Sequence, residues 1–136
     1  MKTQEGSILL EGLIAIVIFS MGILALVGMQ ANAIGQTSDS KYRSDASFLA
    51  NRIIGQIWVN RTAIASYECD PCSSTNGNND TKQWVADMTT GANALPGAAA
   101  SIDVVGTTQV IVTVRWQPPR ATAHNHIATA FISNPS

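Results

Sequence analysis

The chain reads as an α+β protein: a long N-terminal helix packed on a small C-terminal antiparallel β-sheet. Three observations predict this. The apolar stretch from Ser7 to Met29 carries a single charge, Glu11. Beyond it, apolar residues keep recurring at helical spacing as far as Ile57, and no proline occurs before Pro71. Past Ser101 the hydrophobic period shortens to that of a strand.

The first element is long enough to cross a membrane. From Gly12 to Met29 no residue is charged, which is about the minimum for a bilayer core, and Ser7 to Leu10 extend the run on the other side of Glu11. An ionised carboxylate in such a span costs roughly 2.5–3.5 kcal/mol on insertion scales, so Glu11 calls for a partner. Two readings of the segment compete. In the first it is a secretory signal cut at Ala31-Asn32-Ala33; its apolar core is longer than the usual 7 to 15 residues for such a signal, it contains Glu11, and its basic flank is thin. In the second, cleavage follows Gly6 and makes Ser7 a new N-terminus, whose charged amine sits four residues before Glu11. The free amine and Lys2 outweigh Glu5 before the span, while Lys41, Arg43, Arg52 and Arg61 follow it, so positive charge alone leaves the orientation ambiguous. The signal-like position favours a cytoplasmic N-terminus and an exported remainder.

The helical pattern continues through Tyr42, Ala46, Leu49, Ile53 and Ile57, and Phe48, Ile54 and Trp58 widen that stripe. One helix from about Ser7 to about Arg61 is expected, lipid-facing in its first half and amphipathic in its second. Gly12, Gly22, Gly28, Gly35 and Gly55 each weaken it by about 1 kcal/mol relative to alanine. They serve either close helix contact or a segment able to stretch or melt.

Residues 66 to 100 carry loop signals, with a short helix or strand around Trp84, Val85 and Met88 and a turn at Leu95-Pro96-Gly97. Ile102–Val105, a Gly106-Thr107 turn and Gln109–Gln117 then read as a hairpin, with Val110, Val112 and Val114 alternating with Ile111, Thr113 and Arg115. Pro118-Pro119 bars continuation, His126–Ile132 reads as a third strand, and the tail Asn134-Pro135-Ser136 is expected to fray.

Of the 136 residues, roughly 75 remain for a globular part, a size at which a core alone is marginal and a staple or docking onto neighbours is expected. Eight basic and nine acidic residues, scattered without runs, give no electrostatic footprint for nucleic acid. Cys69 and Cys72 admit one internal pairing. A structural disulfide is the main reading in an oxidising compartment; a thioredoxin-type redox site, zinc shared with His124 and His126, and free thiols are the alternatives. The two histidines otherwise read as exposed residues on a strand edge, and Asp70, Asp80, Asp87 and Asp103 as turn or cap residues. Trp58, Trp84 and Trp116 read as core residues packed on the helix stripe. Sequons at Asn60 and Asn79 are chance matches if the source is bacterial, and carry no argument without that knowledge. No phosphate loop, nucleophile elbow or metal-binding helix motif is present, so no catalytic role and no cofactor is expected.

Gly6, then Ser7-Ile8-Leu9-Leu10-Glu11, then an uncharged run resembles the class III signal of type IV pilins and type II secretion pseudopilins. Within that group, SILLEGLIAIVIFSMGILALVGMQ (residues 7–30) and YRSDASFLANRIIGQIWVNR (residues 42–61) resemble the PilV family of minor pilins, also called type IV pilus modification proteins. The resemblance covers about the first 60 residues and, loosely, the Val110–Trp116 strand.

It implies a pilin-like fold with a leader at 1–6, a transmembrane and filament-core helix at 7–30, and a periplasmic domain at 31–136. It further implies cleavage by a prepilin peptidase between Gly6 and Ser7, methylation of the Ser7 amine, and a role for Glu11 in aligning a neighbouring subunit's N-terminal amine. The implied partners are other minor pilins, the major pilin and the inner-membrane pilus assembly machinery. Residence would be in the bacterial inner membrane and then the pilus, and the role a priming or tip complex supporting adhesion or twitching motility. Two departures stand out: the first mature residue is serine where phenylalanine is usual, and Gly28 stands where major pilins often have proline. A minor pseudopilin of a type II secretion system is the alternative within the group. A periplasmic thiol oxidoreductase using Cys69 and Cys72 is the alternative from another class.

Overall fold

The structure, a computed structural model, describes residues 4–119 and 121–133, with the side chains of Gln4 and Glu5 left aside. Lys2, the amine before it and the tail Asn134–Ser136, on which the sequence raised expectations, lie outside these residues. The element order is helix α1 (Gln4–Val59), a 3-10 segment (Arg61–Tyr67), helix α2 (Asn79–Thr90), and strands β1 (Ala99–Val105), β2 (Gln109–Trp116) and β3 (His124–Phe131). The protein is thus α+β, with a long apolar N-terminal helix and a three-stranded antiparallel sheet. Two compact units share the chain, residues 1–40 and 41–136, and α1 contributes to both.

In the first unit every described side chain up to Thr37 is exposed, including Ile8, Leu9, Leu10, Phe19 and Met29. Helix formation there is local: no proline interrupts the hydrogen-bond ladder, and leucine, alanine and methionine, good helix formers, offset the β-branched residues and glycines. Ser20 and Thr37 turn their hydroxyls back to the carbonyls of Ile16 and Ala33, four residues earlier, so even these polar groups are satisfied within the helix.

In the second unit α1 buries one stripe: Ala46, Leu49, Ala50, Ile53 and Ile57 are fully or almost fully covered, and Tyr42 and Ile54 pack at its margin. Phe48 and Trp58 correct the sequence reading, for they are 54% and 40% exposed. Each stands one residue from a stripe position, Leu49 or Ile57, and one step turns a helical side chain by about 100°. Trp84 and Trp116 do lie in the core. The helix ends at Val59, two residues short of expectation, and Asn60 leaves helical geometry at φ −103°, ψ 33°.

α2 settles the choice left open around Trp84 in favour of a helix. Asn78 caps it, accepting a hydrogen bond from the Thr81 N–H at 2.8 Å through its side-chain oxygen, and Trp84, Val85 and Met88 form the buried face. Gly77 precedes the cap at φ +88°, a left-handed conformation in which a Cβ would stand 3.0 Å from Thr81. Trp84 Nε1 donates to the Leu49 carbonyl at 2.9 Å, which ties α2 to α1 inside the core.

The sheet is a meander in the order β1-β2-β3. β2 lies at its centre and carries the expected alternation: Val110, Val112, Val114 and Trp116 are buried on the helix-facing side, while Arg115 is exposed. Gly106, at φ +66°, supplies the left-handed residue of the β1–β2 turn. β1 starts three residues earlier than Ile102 and β3 two earlier than His126, whereas β2 stops at Trp116 rather than Gln117. β1's far edge is partly closed by the cysteine loop. Cys69 and Ile102 exchange hydrogen bonds at 3.0 and 2.9 Å, and the Cys72 N–H donates to the Ala100 carbonyl at 2.8 Å.

Candidate functional site

Gly6, Ser7 and Glu11 all lie on α1 with exposed side-chain positions. Ser7 and Glu11, four residues apart, share one helix face a single turn from each other. The next neighbours of Glu11 on that face are Ile8 and Ile14, exposed by 68% and 50%. Among the described residues no side chain makes an ion pair or hydrogen bond with the Glu11 carboxylate. The helix is long and apolar enough to cross a membrane. In that setting Glu11 is an anionic group on an apolar surface, chemically suited to meeting a cation from outside its own helix.

Cys69 and Cys72 are joined in a disulfide with their Cα atoms 4.8 Å apart, and both are buried. This is the main sequence reading. It bears on all three alternatives: a bonded pair leaves no free thiol and offers no thiolate to zinc, and Cys69 lies in an extended pairing with Ile102 rather than at a helix N-terminus that would stabilise a thiolate. Among the described residues no cluster of three metal-ligating side chains forms.

The histidines correct a second expectation. His124 and His126 are half-buried and alternate along β3 with exposed Asn125 and Ile127, on the same side as Ala128 and Ala130, which pack against the core. His124 stacks on Trp116 with ring centroids 5.6 Å apart. Their inward side follows from the register, Val114↔His126 and Trp116↔His124, because cross-strand partners share a face.

The acidic residues also distribute differently from the turn-and-cap reading. Asp80 lies in the first turn of α2, but it accepts hydrogen bonds from the Tyr67 hydroxyl at 2.5 Å and from Asn60 at 3.1 Å. Burial and the Asp80 carboxylate push the Tyr67 hydroxyl above its ordinary pKa of 10.0. Asp87, inside α2, pairs with Arg52 of α1 at 2.5 Å and accepts a bond from Gln83 at 3.1 Å. The Arg52 guanidinium, followed by Gln83, holds the Asp87 carboxyl below its usual 3.8. Asp103 is exposed on β1, and only Asp70 lies in the cysteine loop, before Pro71. Apart from the Gln83–Asp87 bond inside α2, these contacts join segments distant in sequence, which is why no local spacing signalled them.

Asn60, Ser66, Tyr67, Asn78 and Asp80 line a polar hollow where α1 gives way to the 3-10 segment. Its side chains bond mainly to one another: Asn60 donates to Tyr67 at 2.8 Å and Asn78 to Ser66 at 3.1 Å. The arrangement ties three segments together. The chain matches no family model, no curated protein and no solved structure.

Proposed function

We propose that the chain is a minor pilin of the PilV type, acting in assembly rather than chemistry. The observation that carries the reading is Glu11: a lone, exposed carboxylate on an apolar helix, five residues after Gly6 and four after Ser7. Such a group is costly in lipid until a cation meets it. Cleavage after Gly6 creates that cation, the amine of Ser7, and methylation leaves its charge in place. On a neighbouring subunit the amine and Glu11 attract strongly in a low-dielectric bundle, and each lowers the other's burial cost.

The rest of the chain is consistent with this role. The small domain on the second part of α1 is stapled by Cys69 and Cys72, as suits a module exported to an oxidising compartment. The helix would hold the chain in the inner membrane with its C-terminal domain in the periplasm until other minor pilins recruit it to a priming or tip complex.

Replacing Glu11 by alanine tests the pairing. Membrane insertion and leader removal should proceed as in the wild type, while co-purification with other pilus subunits falls at least tenfold. Undiminished incorporation of the variant would refute the pairing.

A further inference from the structure

We propose that Asn76 is a site of spontaneous covalent modification, independent of the assembly role assigned to Glu11. The backbone nitrogen of Gly77 attacks the Asn76 carboxamide, and the succinimide so formed opens to aspartyl and isoaspartyl residues that loosen the entry to α2.

Of the asparagines in the chain, Asn76 alone is followed by glycine. Ring closure brings the nitrogen of the following residue onto the side-chain carbonyl carbon, and a Cβ on that residue crowds the approach. Glycine has none. Asn76 is exposed and lies outside helix and strand. Among the described residues the Gly77 N–H makes no hydrogen bond, so the attacking nitrogen is not committed to a partner.

The carboxamide is held by its nitrogen. Nδ2 donates to the Pro71 carbonyl at 2.9 Å, while among the described residues no donor reaches Oδ1. The Pro71 carbonyl therefore stabilises Nδ2 as it gains a proton and leaves, and water at Oδ1 meets the negative charge that develops there. Other asparagines are built in differently. Asn32, Asn51 and Asn79 lie in helices and Asn125 in a strand, and the N–H that follows Asn93 is bonded to the Gly91 carbonyl at 3.1 Å.

The step balances without a co-reactant other than water. The Gly77 nitrogen forms a bond to Asn76 Cγ as the Cγ–Nδ2 bond breaks, and Nδ2 departs as ammonia with the former Gly77 amide proton. Water then opens the imide. Cleavage at Cγ yields aspartate, whereas cleavage at the backbone carbonyl yields isoaspartate, which routes the main chain through one additional carbon. That lengthening falls where the chain has little slack. Gly77 sits at φ +88° with its Cβ position 3.0 Å from Thr81, and Asn78 next to it accepts the Thr81 N–H at 2.8 Å to cap α2.

The test is peptide mapping by mass spectrometry of the folded full chain in phospholipid nanodiscs, incubated in mildly alkaline buffer. Isoaspartyl methyltransferase with S-adenosylmethionine labels the isoaspartyl product. Asn76 should gain the mass of amide-to-acid conversion at least tenfold faster than any other asparagine, and faster still as pH rises, because the amide nitrogen attacks as its anion. Gly77→Ala should slow this at least tenfold. Since alanine is strained at that φ, Asn76→Gln is the second variant: it keeps Gly77, needs a larger ring, and should abolish the labelling. Modified protein separated by ion exchange should exchange its Thr81 amide hydrogen at least tenfold faster than the unmodified form. An Asn76 that stays intact, conversion spread evenly over the asparagines, labelling that survives Asn76→Gln, or unchanged Thr81 exchange would each overturn the proposal.

Discussion

Trp84 and Trp116 are both buried indoles, yet they are unequal. Trp84 Nε1 has the Leu49 carbonyl at 2.9 Å, whereas Trp116 Nε1 has no hydrogen-bond partner among the described residues. A net hydrogen bond contributes about 1 kcal/mol, so Trp84→Phe should cost about 1 kcal/mol more than Trp116→Phe in urea unfolding. Equal losses would mean that the Leu49 bond contributes nothing. The Asp87–Arg52 pair makes a different prediction, one with a sign. Because Arg52 lowers the Asp87 pKa, the stabilisation is present above the ordinary carboxylate value and is lost as pH falls through the lower folded-state value. The stability gap between wild type and Arg52→Gln should therefore be constant near neutrality and close below about pH 4. A gap that persists in acid would assign it to packing of the arginine stem.

At the scale of elements, the Cys69–Cys72 staple both closes a short loop and fixes that loop to β1. The chain-closure model assigns a four-residue loop about 2 kcal/mol. Replacing both cysteines by serine should lower stability by about that amount in chemical denaturation and leave secondary structure by circular dichroism unchanged. A loss well above this would point to the Ile102 and Ala100 pairings failing together. How far the sequence reached is clearest here. The alternating valines of β2 were legible because one side of a central strand is wholly buried. The early starts of β1 and β3 were not, since Ala99-Ala100-Ser101 and His124-Asn125 have no apolar alternation and join the sheet because Arg115 and Trp116 lie opposite them. The α1 stripe was legible in its axis, at Leu49, Ile53 and Ile57. Its width was not, because neither the narrow sheet nor α2 covers Phe48 and Trp58. The Tyr67–Asp80–Asn60 bonds depend on how the loops close, which local spacing does not encode, whereas capping by Asn78 is a local contact with Thr81 that an asparagine ahead of a helix signals.

On the scale of the whole molecule, the candidate site was legible because its parts are contiguous: Gly6, Ser7, Glu11 and the uncharged run lie within one stretch of sequence. Its proposed partner is another subunit, so a single chain presents half of the interaction, an exposed carboxylate on an apolar helix. The central claim is that this half becomes functional when the leader leaves. Intact-mass and N-terminal peptide mass spectrometry of the protein from its native host tests it most directly. The account predicts a chain that begins at Ser7 and carries a methyl group on its amine. A mature chain beginning at Ile34, with Glu11 removed along with a secretory signal, would contradict it.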